Sequence, residues 1–407
     1  MKCRHCQKEL IYTFLDLGFS PPSNAYLTEA DLVKPEYYYP LKVMVCDQCW
    51  LVQTEDRKLA HELFDPQYAY FSSVSTSWLE HAKNYADMMI KKFQLNQSNF
   101  IVEIASNDGY LLKNFIAKKI PCLGVEPTES TALVAEGLGI PVLRSFFSEE
   151  IGNKVAKEWS KADLVIGNNV YAHVPDINDF TRGLKSLLST NGVITLEFPH
   201  LMKLLEFTQF DTIYHEHFSY LSLGTVVQIF KFSGLRVWNV EVLSTHGGSL
   251  RVYGCHEDGP WRTLPIVDDI LAQEKSYGMT QLATYLRFQD RADIVKNEAL
   301  QFLITQKKIG KRVAAYGAAA KGNTLLNYAG IKPDLLPFVC DAASAKQHRF
   351  MPGSHIPIFP PSVLREKRAD YILILPWNIS EEVVAQLSSI VDFDTKFVTL
   401  IPQLKIL

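Results

Sequence analysis

The 407-residue chain contains no run of eighteen apolar residues, so no part of it reads as a membrane span. No apolar stretch follows Met1-Lys2-Cys3-Arg4-His5, so no signal peptide is expected and the chain reads as cytoplasmic. An excess of one charge is also missing. With 41 Lys and Arg against 44 Asp and Glu the net charge is −3, which argues against a broad surface for nucleic acid or anionic membrane. Internal repeats and low-complexity segments are absent, and nothing demands an obligate protein partner. What remains, 47% hydrophobic and 21% charged residues, is an ordinary composition for two or three cored domains. Three are expected, over residues 1–65, 66–260 and 261–407.

Cysteine is scarce, with seven in all, and four of these form two pairs, Cys3-x-x-Cys6 and Cys46-x-x-Cys49. Two such turns supply the four soft ligands of a tetrahedral zinc with little loop strain. The long gap between them requires a hairpin or small sheet to fold back. Paired spacing disfavours four unrelated thiols, and the lack of an export signal disfavours two disulfides. A zinc held by four protein ligands has no open position, so it is structural and the chemistry lies elsewhere. Cys122, Cys255 and Cys340 sit singly in apolar stretches and read as buried thiols.

An alternating pattern begins after the cysteine module. Residues 99–104, 122–126, 141–143, 163–167 and 193–198 read as strands, and 109–118, 130–138 and 180–188 as helices. Strands alternating with helices of this length predict a mostly parallel, doubly wound sheet. Residues 262–308 have helical periodicity and few breakers. A second α/β unit follows, with strands expected at 311–316, 336–340 and 371–375. Between the first of these and a helix at 324–329 lies the turn Gly317-Ala318-Ala319-Ala320-Lys321-Gly322-Asn323.

In an open parallel sheet, ligands sit at the carboxyl ends of the strands. Ile101-Val102-Glu103-Ile104-Ala105-Ser106-Asn107-Asp108-Gly109 supplies a first strand and turn, and Gly124-Val125-Glu126-Pro127 ends the second strand with a carboxylate placed to accept both hydroxyls of a ribose. Ile166-Gly167-Asn168-Asn169-Val170 ends the fourth. The pattern resembles the S-adenosylmethionine (SAM) site of class I methyltransferases, with Glu103, Ala105, Asn107, Gly109, Glu126, Pro127, Asn168 and Asn169 as cofactor-binding residues. Only Gly109 survives of the usual glycines, and this disfavours a nicotinamide cofactor, whose pyrophosphate needs a closer backbone approach.

The densest polar group is Tyr214-His215-Glu216-His217, followed by Phe218-Ser219-Tyr220. On a strand, His215 and His217 would share one face and Tyr214 and Glu216 the other, whereas a bend would let them converge. The H-x-x-x-H spacing of hydrolytic zinc sites is absent. The cluster therefore favours proton transfer.

Taken together, these motifs resemble the SAM-dependent sugar 3-C-methyltransferases, which make branched deoxysugars. The resemblance rests on the paired cysteines, the 103–109 turn, Asn168-Asn169-Val170-Tyr171-Ala172-His173, the Tyr214–Tyr220 segment, His246-Gly247-Gly248-Ser249-Leu250-Arg251 and the 317–323 turn. It spans nearly the whole chain. It implies an α/β protein with a zinc-binding module, a central Rossmann-like SAM domain and a C-terminal Rossmann-like domain. The implied substrate is a nucleotide-linked 4-keto-deoxysugar, carried on thymidine or guanosine diphosphate. His217 is implied as the base that removes the C3 proton, with Tyr214, Glu216 and His173 around it and a tyrosine of the 68–73 segment, Tyr68 in preference to Tyr70, closing over the site. Expected on the substrate side are His200, His246, Arg251, Lys321 and Asn323. The 317–323 turn either holds the diphosphate or belongs to a purely structural domain. Glu216 is expected to set the tautomer or raise the basicity of His217, and Tyr214 or His173 to stabilise the enolate oxygen. Two other readings are a methyltransferase of nucleic acid or another small molecule, which the charge disfavours, and a non-catalytic adaptor, which leaves the Tyr-His-Glu-His cluster unexplained.

Overall fold

The computed structural model describes residues 1–55, 72–74, 76–392 and 394–407; Tyr68 and Tyr70 lie outside them. Three sheets of four, seven and six strands organise the described chain. The first begins as an antiparallel meander of β1 (Tyr12–Ser20), β2 (Tyr39–Val45) and β3 (Val52–Thr54). The two cysteine turns close its ends: Gln7 N–H bonds to Cys3 O in one and Trp50 N–H to Cys46 O in the other. Gln7 and Trp50, each following the second cysteine of its pair, both take left-handed backbone.

A long helix, Thr76–Phe93, leads into the central domain and buries Ala82, Tyr85, Ala86 and Met89 along one stripe. The parallel strands follow: β4 (Ile101–Ile104), β5 (Cys122–Val125), β6 (Val142–Leu143), β7 (Ala162–Asn168) and β8 (Leu188–Pro199). Their near-continuous apolar character fits strands covered on both faces. After β9 (Ser219–Tyr220) come β10 (Leu235–Leu243) and β11 (Ser249–His256), and β11 is inserted antiparallel between β8 and β10. The order β10-β11-β8-β7-β4-β5-β6 is the expected doubly wound sheet with an antiparallel edge. The helix expected at 109–118 shrinks to Lys113–Ile116, because residues 105–112 are taken up by turns.

β9 departs from its domain. It pairs with β3 instead of the central sheet, with Val52 opposite Tyr220 and Gln53 opposite Ser219. The meander's fourth strand is thus supplied by the segment that follows the Tyr-His-Glu-His cluster.

Helices Pro265–Tyr277, Leu282–Leu286 and Phe288–Lys308 occupy the expected connecting region. The last strands are β12 (Val313–Tyr316), β13 (Val339–Cys340), β14 (Ile358–Phe359), β15 (Tyr371–Ile374), β16 (Lys396–Thr399) and β17 (Lys405–Ile406). Their order, β14-β13-β12-β15-β16-β17, is Rossmann-like, with only β17 antiparallel. One apolar core runs from Phe14 and Leu15 of β1 through Phe288 and Val295 to Val313 of β12, and Phe14 stacks on Phe288 at 4.8 Å. No helix among the described residues is long and apolar enough to cross a membrane.

Candidate active site

The metal end is compact. The sulfurs of Cys3, Cys6, Cys46 and Cys49 all lie within 4.8 Å of one another, with Cys3–Cys49 at 3.5 Å and Cys6–Cys46 at 3.4 Å. Those separations are far beyond a disulfide bond and close to the edge of a tetrahedron with Zn–S bonds of about 2.3 Å. Gln53 Nε2 donates to Cys3 Sγ at 3.2 Å, the outer-shell bond a thiolate ligand needs. The four residues fit a structural zinc.

At the carboxyl end of β4 the chain turns through Ala105, Asn107 and Gly109, all at positive φ. A side chain at Gly109 would place its Cβ 2.5 Å from Ile140 Cδ1, so glycine is required there. Glu126, at the end of β5, accepts from Asn107 N at 2.9 Å through Oε2 and from Thr128 N at 2.9 Å through Oε1. It therefore holds the turn itself, and each oxygen keeps a lone pair for a ligand. Pro127 follows it directly. Ser72 N and Ser73 N, from the end of the segment expected to close the site, donate to Asn107 Oδ1 and Asp108 Oδ2, each at 3.0 Å.

Several buried polar atoms around this turn have no partner among the described residues: Glu103 Oε2, Ser106 Oγ, Asp108 Oδ1, Asn168 Oδ1 and the side-chain amide of Asn169. Unsatisfied groups gathered at strand ends signal a ligand that completes them. Burial, with the nearby Glu126 and Asp108 carboxylates, pushes the Glu103 carboxyl well above its usual range. An acidic cradle of this kind suits the cationic methionine portion of SAM.

The Tyr-His-Glu-His segment is a tight bend, closed by His217 N–H to Tyr214 O at 3.0 Å. The bend brings the His217 ring to 4.1 Å from the Tyr214 ring and 4.5 Å from the His173 ring. His173 arrives on the turn that leaves β7. His215 turns away to an edge contact with Tyr39. His217 Nδ1 lies 3.0 Å from Thr212 O, and a carbonyl only accepts, so Nδ1 carries the proton and Nε2 the lone pair. Burial first, then His173, draws His217 well below the ordinary histidine range. It is a neutral imidazole held in one tautomer.

Two expectations are corrected here. Glu216 does not set the His217 tautomer; the Thr212 carbonyl does. The Glu216 carboxylate instead receives Asn24 Nδ2 at 3.1 and 2.8 Å, and its backbone carbonyl accepts from His173 Nδ1 at 2.8 Å. Burial pulls His173 down to about 4, so its ring is neutral with its one proton on Nδ1. In that state it has no second N–H to offer a ligand oxygen, and of the two expected donors Tyr214 is the one left with an O–H.

Burial raises the Glu216 carboxyl to about 7. A raised acid favours the fold most when protonated, so this contribution is complete below the ordinary carboxylate range and disappears as pH climbs through about 7. Glu216→Gln is expected to flatten the stability slope between pH 5 and pH 8 by an amount on the order of 2 kcal/mol. Denaturant melts at the two pH values check this, and an unchanged slope would place the titration elsewhere.

The expected substrate residues divide into two groups. Lys321 and Asn323 lie on the helix Ala320–Tyr328, which packs against residues 210–212. Lys321 Nζ donates to Asn378 Oδ1 at 2.6 Å, and the fully buried Asn323 amide has no partner among the described residues. His246 has left-handed backbone and is 5.4 Å from the Trp78 ring; burial and then Lys321 lower it to about 4. His200 and Arg251 are otherwise engaged. His200 Nε2 meets Glu274 at 2.7 Å, and that carboxylate also accepts from Leu223 N and Gly224 N, capping the helix Leu223–Phe232. Arg251 bridges Glu197 at 2.9 Å and Glu241 at 3.0 Å, and lies over Tyr85. Both are structural ties, contrary to expectation.

Sequence reasoning missed Asn24, Thr54, Asp211, Thr212 and Trp377. Thr54 Oγ1 donates to His217 O at 3.1 Å. None of these sits in a motif, and a backbone carbonyl such as that of Thr212 leaves no trace in residue identity.

Family models match the chain in three successive parts: a zinc binding domain over 3–64, a methyltransferase domain over 78–240 and a C-methyltransferase C-terminal domain over 244–402. The C-methyltransferase NovU of Streptomyces niveus is 32% identical over 406 residues, covering 100% of this chain and 96% of its own. Among solved structures, the SAM-bound magnesium protoporphyrin IX methyltransferase of Synechocystis is 13% identical, covers 44% of this chain and 79% of its own, and has a TM-score of 0.34. YcgJ of Bacillus is 12% identical, covers 44% and 100%, and scores 0.36. At those scores the solved structures add nothing to the full-length match.

Proposed function

The chain belongs to the SAM-dependent C-methyltransferases, and from that premise we propose that it methylates C3 of a nucleotide-linked 4-keto-deoxysugar through an enolate. One observation carries the reading: a neutral, tautomer-fixed His217 imidazole lies buried between a phenol and a second imidazole. The 4-keto group makes the C3 proton removable. His217 Nε2 takes that proton as the C3–H electron pair moves into the enolate. The Tyr214 hydroxyl donates to the enolate oxygen, a contribution commonly worth roughly 3–4 kcal/mol. Bound SAM would supply an activated methyl for C3, with the thioether as leaving group, and the ketone would re-form. Excluding water and holding the reacting atoms in line are the protein's remaining tasks.

In this reading residues 1–65 are the zinc module, 66–260 the cofactor and catalytic domain, and 261–407 the wall on the substrate side. Glu103, Ala105, Asn107, Gly109, Glu126, Pro127, Asn168 and Asn169 bind SAM. His246, Lys321 and Asn323 face the nucleotide sugar, whose diphosphate suits the Lys321 ammonium and the amides of the 317–323 turn. Seven reduced cysteines suit a reducing, cytoplasmic setting.

Incubation with SAM and a panel of thymidine- and guanosine-diphosphate 4-ketosugars, scored by mass, is expected to show one added methyl together with loss of the C3 proton. Methyl transfer to the panel at no position, or at an oxygen, would overturn the reading. Glu126→Ala is expected to weaken SAM binding by roughly 1.5–3 kcal/mol, the scale of charge-assisted hydrogen bonds, as read by calorimetry. Unchanged affinity would remove Glu126 from the cofactor site.

A further inference from the structure

The tautomer of His217 depends on the Thr212 carbonyl, and the residues on either side of Thr212 are both held by the C-terminal domain. Trp377 Nε1 donates to Asp211 Oδ2 at 2.7 Å, and Thr324 Oγ1 donates to Ile213 O at 2.8 Å. Between them, Thr212 O receives His217 Nδ1 at 3.0 Å. Trp377 is fixed on its other sides as well. The Lys321 ammonium lies 4.8 Å from its ring centre, and its outer edge fits so closely over Gly247 that a Cβ there would come within 2.4 Å of Trp377 Cη2. Gly247 follows His246, so a single indole touches both the turn that orients the base and the loop that carries His246. Gln209 completes the link by donating to Gly247 O at 2.8 Å while its own carbonyl receives Thr212 Oγ1 at 2.7 Å.

We infer that Trp377 is a positioning residue: its N–H holds Asp211, and through Asp211 it keeps the Thr212 carbonyl against His217, so that Nε2 remains the basic nitrogen. The inference rests on the reading of His217 as the base. Asp211 is buried, 1% exposed, and Trp377 is its side-chain donor beside the backbone amides of Asp211 and Thr212, so removing the indole N–H leaves a buried carboxylate one donor short. The geometry makes the C-terminal domain part of the catalytic apparatus without requiring it to touch the reacting carbon.

The test uses full-length protein, a ketosugar accepted in the panel, and 15N-labelled histidine. Trp377→Phe keeps a ring but removes the donor. Asp211→Leu removes the acceptor, and Asp211→Asn keeps an acceptor oxygen. Expected for Trp377→Phe and Asp211→Leu is a kcat at least about tenfold lower, since small misplacements of catalytic groups cost that much or more. SAM affinity should be unchanged, and the His217 ring nitrogens should move from a single Nδ1–H pattern to an averaged one. Asp211→Asn should keep most of the activity and the original pattern. Wild-type kcat in Trp377→Phe, loss of kcat with an unmoved nitrogen pattern, or equal losses in the two Asp211 variants would overturn the inference. If Trp377→Phe fails to fold, the Asp211 pair decides from the other side of the contact. Activity surviving in His217→Asn would remove the base assignment, while the nitrogen pattern would still report on whether Trp377 sets the tautomer.

Discussion

Replacing His217 with asparagine is expected to lower turnover by at least about a hundredfold, the lower end for loss of a general base, with SAM affinity near normal. Asparagine preserves much of the shape and removes the basic nitrogen. Because burial and His173 hold His217 well below the ordinary histidine range, the imidazole stays neutral through mildly acidic solution. The acid limb of the rate profile should therefore lie below that range, and kcat/KM should be flat around neutrality. The same environment makes His217 a weaker base than a solvated imidazole, so a donor to the enolate oxygen has to supply part of the driving force. Tyr214→Phe should accordingly reduce turnover while the acid limb stays where it is. Exchange of the substrate C3 proton with deuterated water, if wild-type enzyme shows it, should disappear in His217→Asn. Near-normal methyl transfer by that variant would move the role to His173 or His215. Activity in all three single variants would end the enolate mechanism.

Removing the zinc is expected to abolish turnover and stability together. Structural zinc in zinc-finger peptides binds with apparent energies of roughly 10–16 kcal/mol at neutral pH, and in a small module that energy is folding energy. The motifs alone mark the zinc as structural, with the chemistry elsewhere; the structure ties the two together. β3 runs out of the second cysteine turn; Gln53 donates to Cys3 Sγ and pairs with Ser219; and Thr54 donates through its hydroxyl to His217 O and through its amide to Phe218 O. Unfolding of the module therefore releases the base. One zinc per chain by metal analysis, and a parallel fall of melting temperature and activity on chelation or in Cys46→Ser, are the expected results. SAM binding should suffer less, since its residues belong to the central sheet. Full activity without metal, or a metal ratio near zero with oxidised cysteines, would refute the coupling.

What was legible in the sequence was what is local. The cysteine turns, the β4 strand with its turn and Glu126 at the end of the neighbouring strand are encoded in short segments whose chemistry depends on spacing of a few residues. The Tyr-His-Glu-His segment announced itself by composition, but its conformation did not. An alternating strand and a bend are equally compatible with those four residues, and the bend is selected by Thr54, Asn24 and Ala172, the last accepting from Phe218 N at 2.8 Å. Glu216 was misread for the same reason: on a bend, its side chain departs from the ring it adjoins in sequence. His200 and Arg251 were expected on the substrate side with the motifs that carry the resemblance, whereas here Glu274, Glu197 and Glu241 pair with them at distances only the folded chain brings about. Trp377 lies 160 residues from the base it is inferred to position, and no local pattern records such a contact.

The migration of β9 into the meander bears on how such an enzyme can be rebuilt. A breakpoint placed in the stretch before the helix Thr76–Phe93 would separate two cassettes that look independent in the linear sequence. It would also part β3 from the strand that completes its sheet, because Val52 and Gln53 match Tyr220 and Ser219 across that seam. A head taken from one lineage and joined to a catalytic body from another would have to restore that strand pairing, the Asn24 contact with Glu216 and the Thr54 contact with His217 all at once. Inheritance should therefore keep the head and the 214–220 segment together, and hybrids that exchange them as a matched pair should outperform those that swap the head alone.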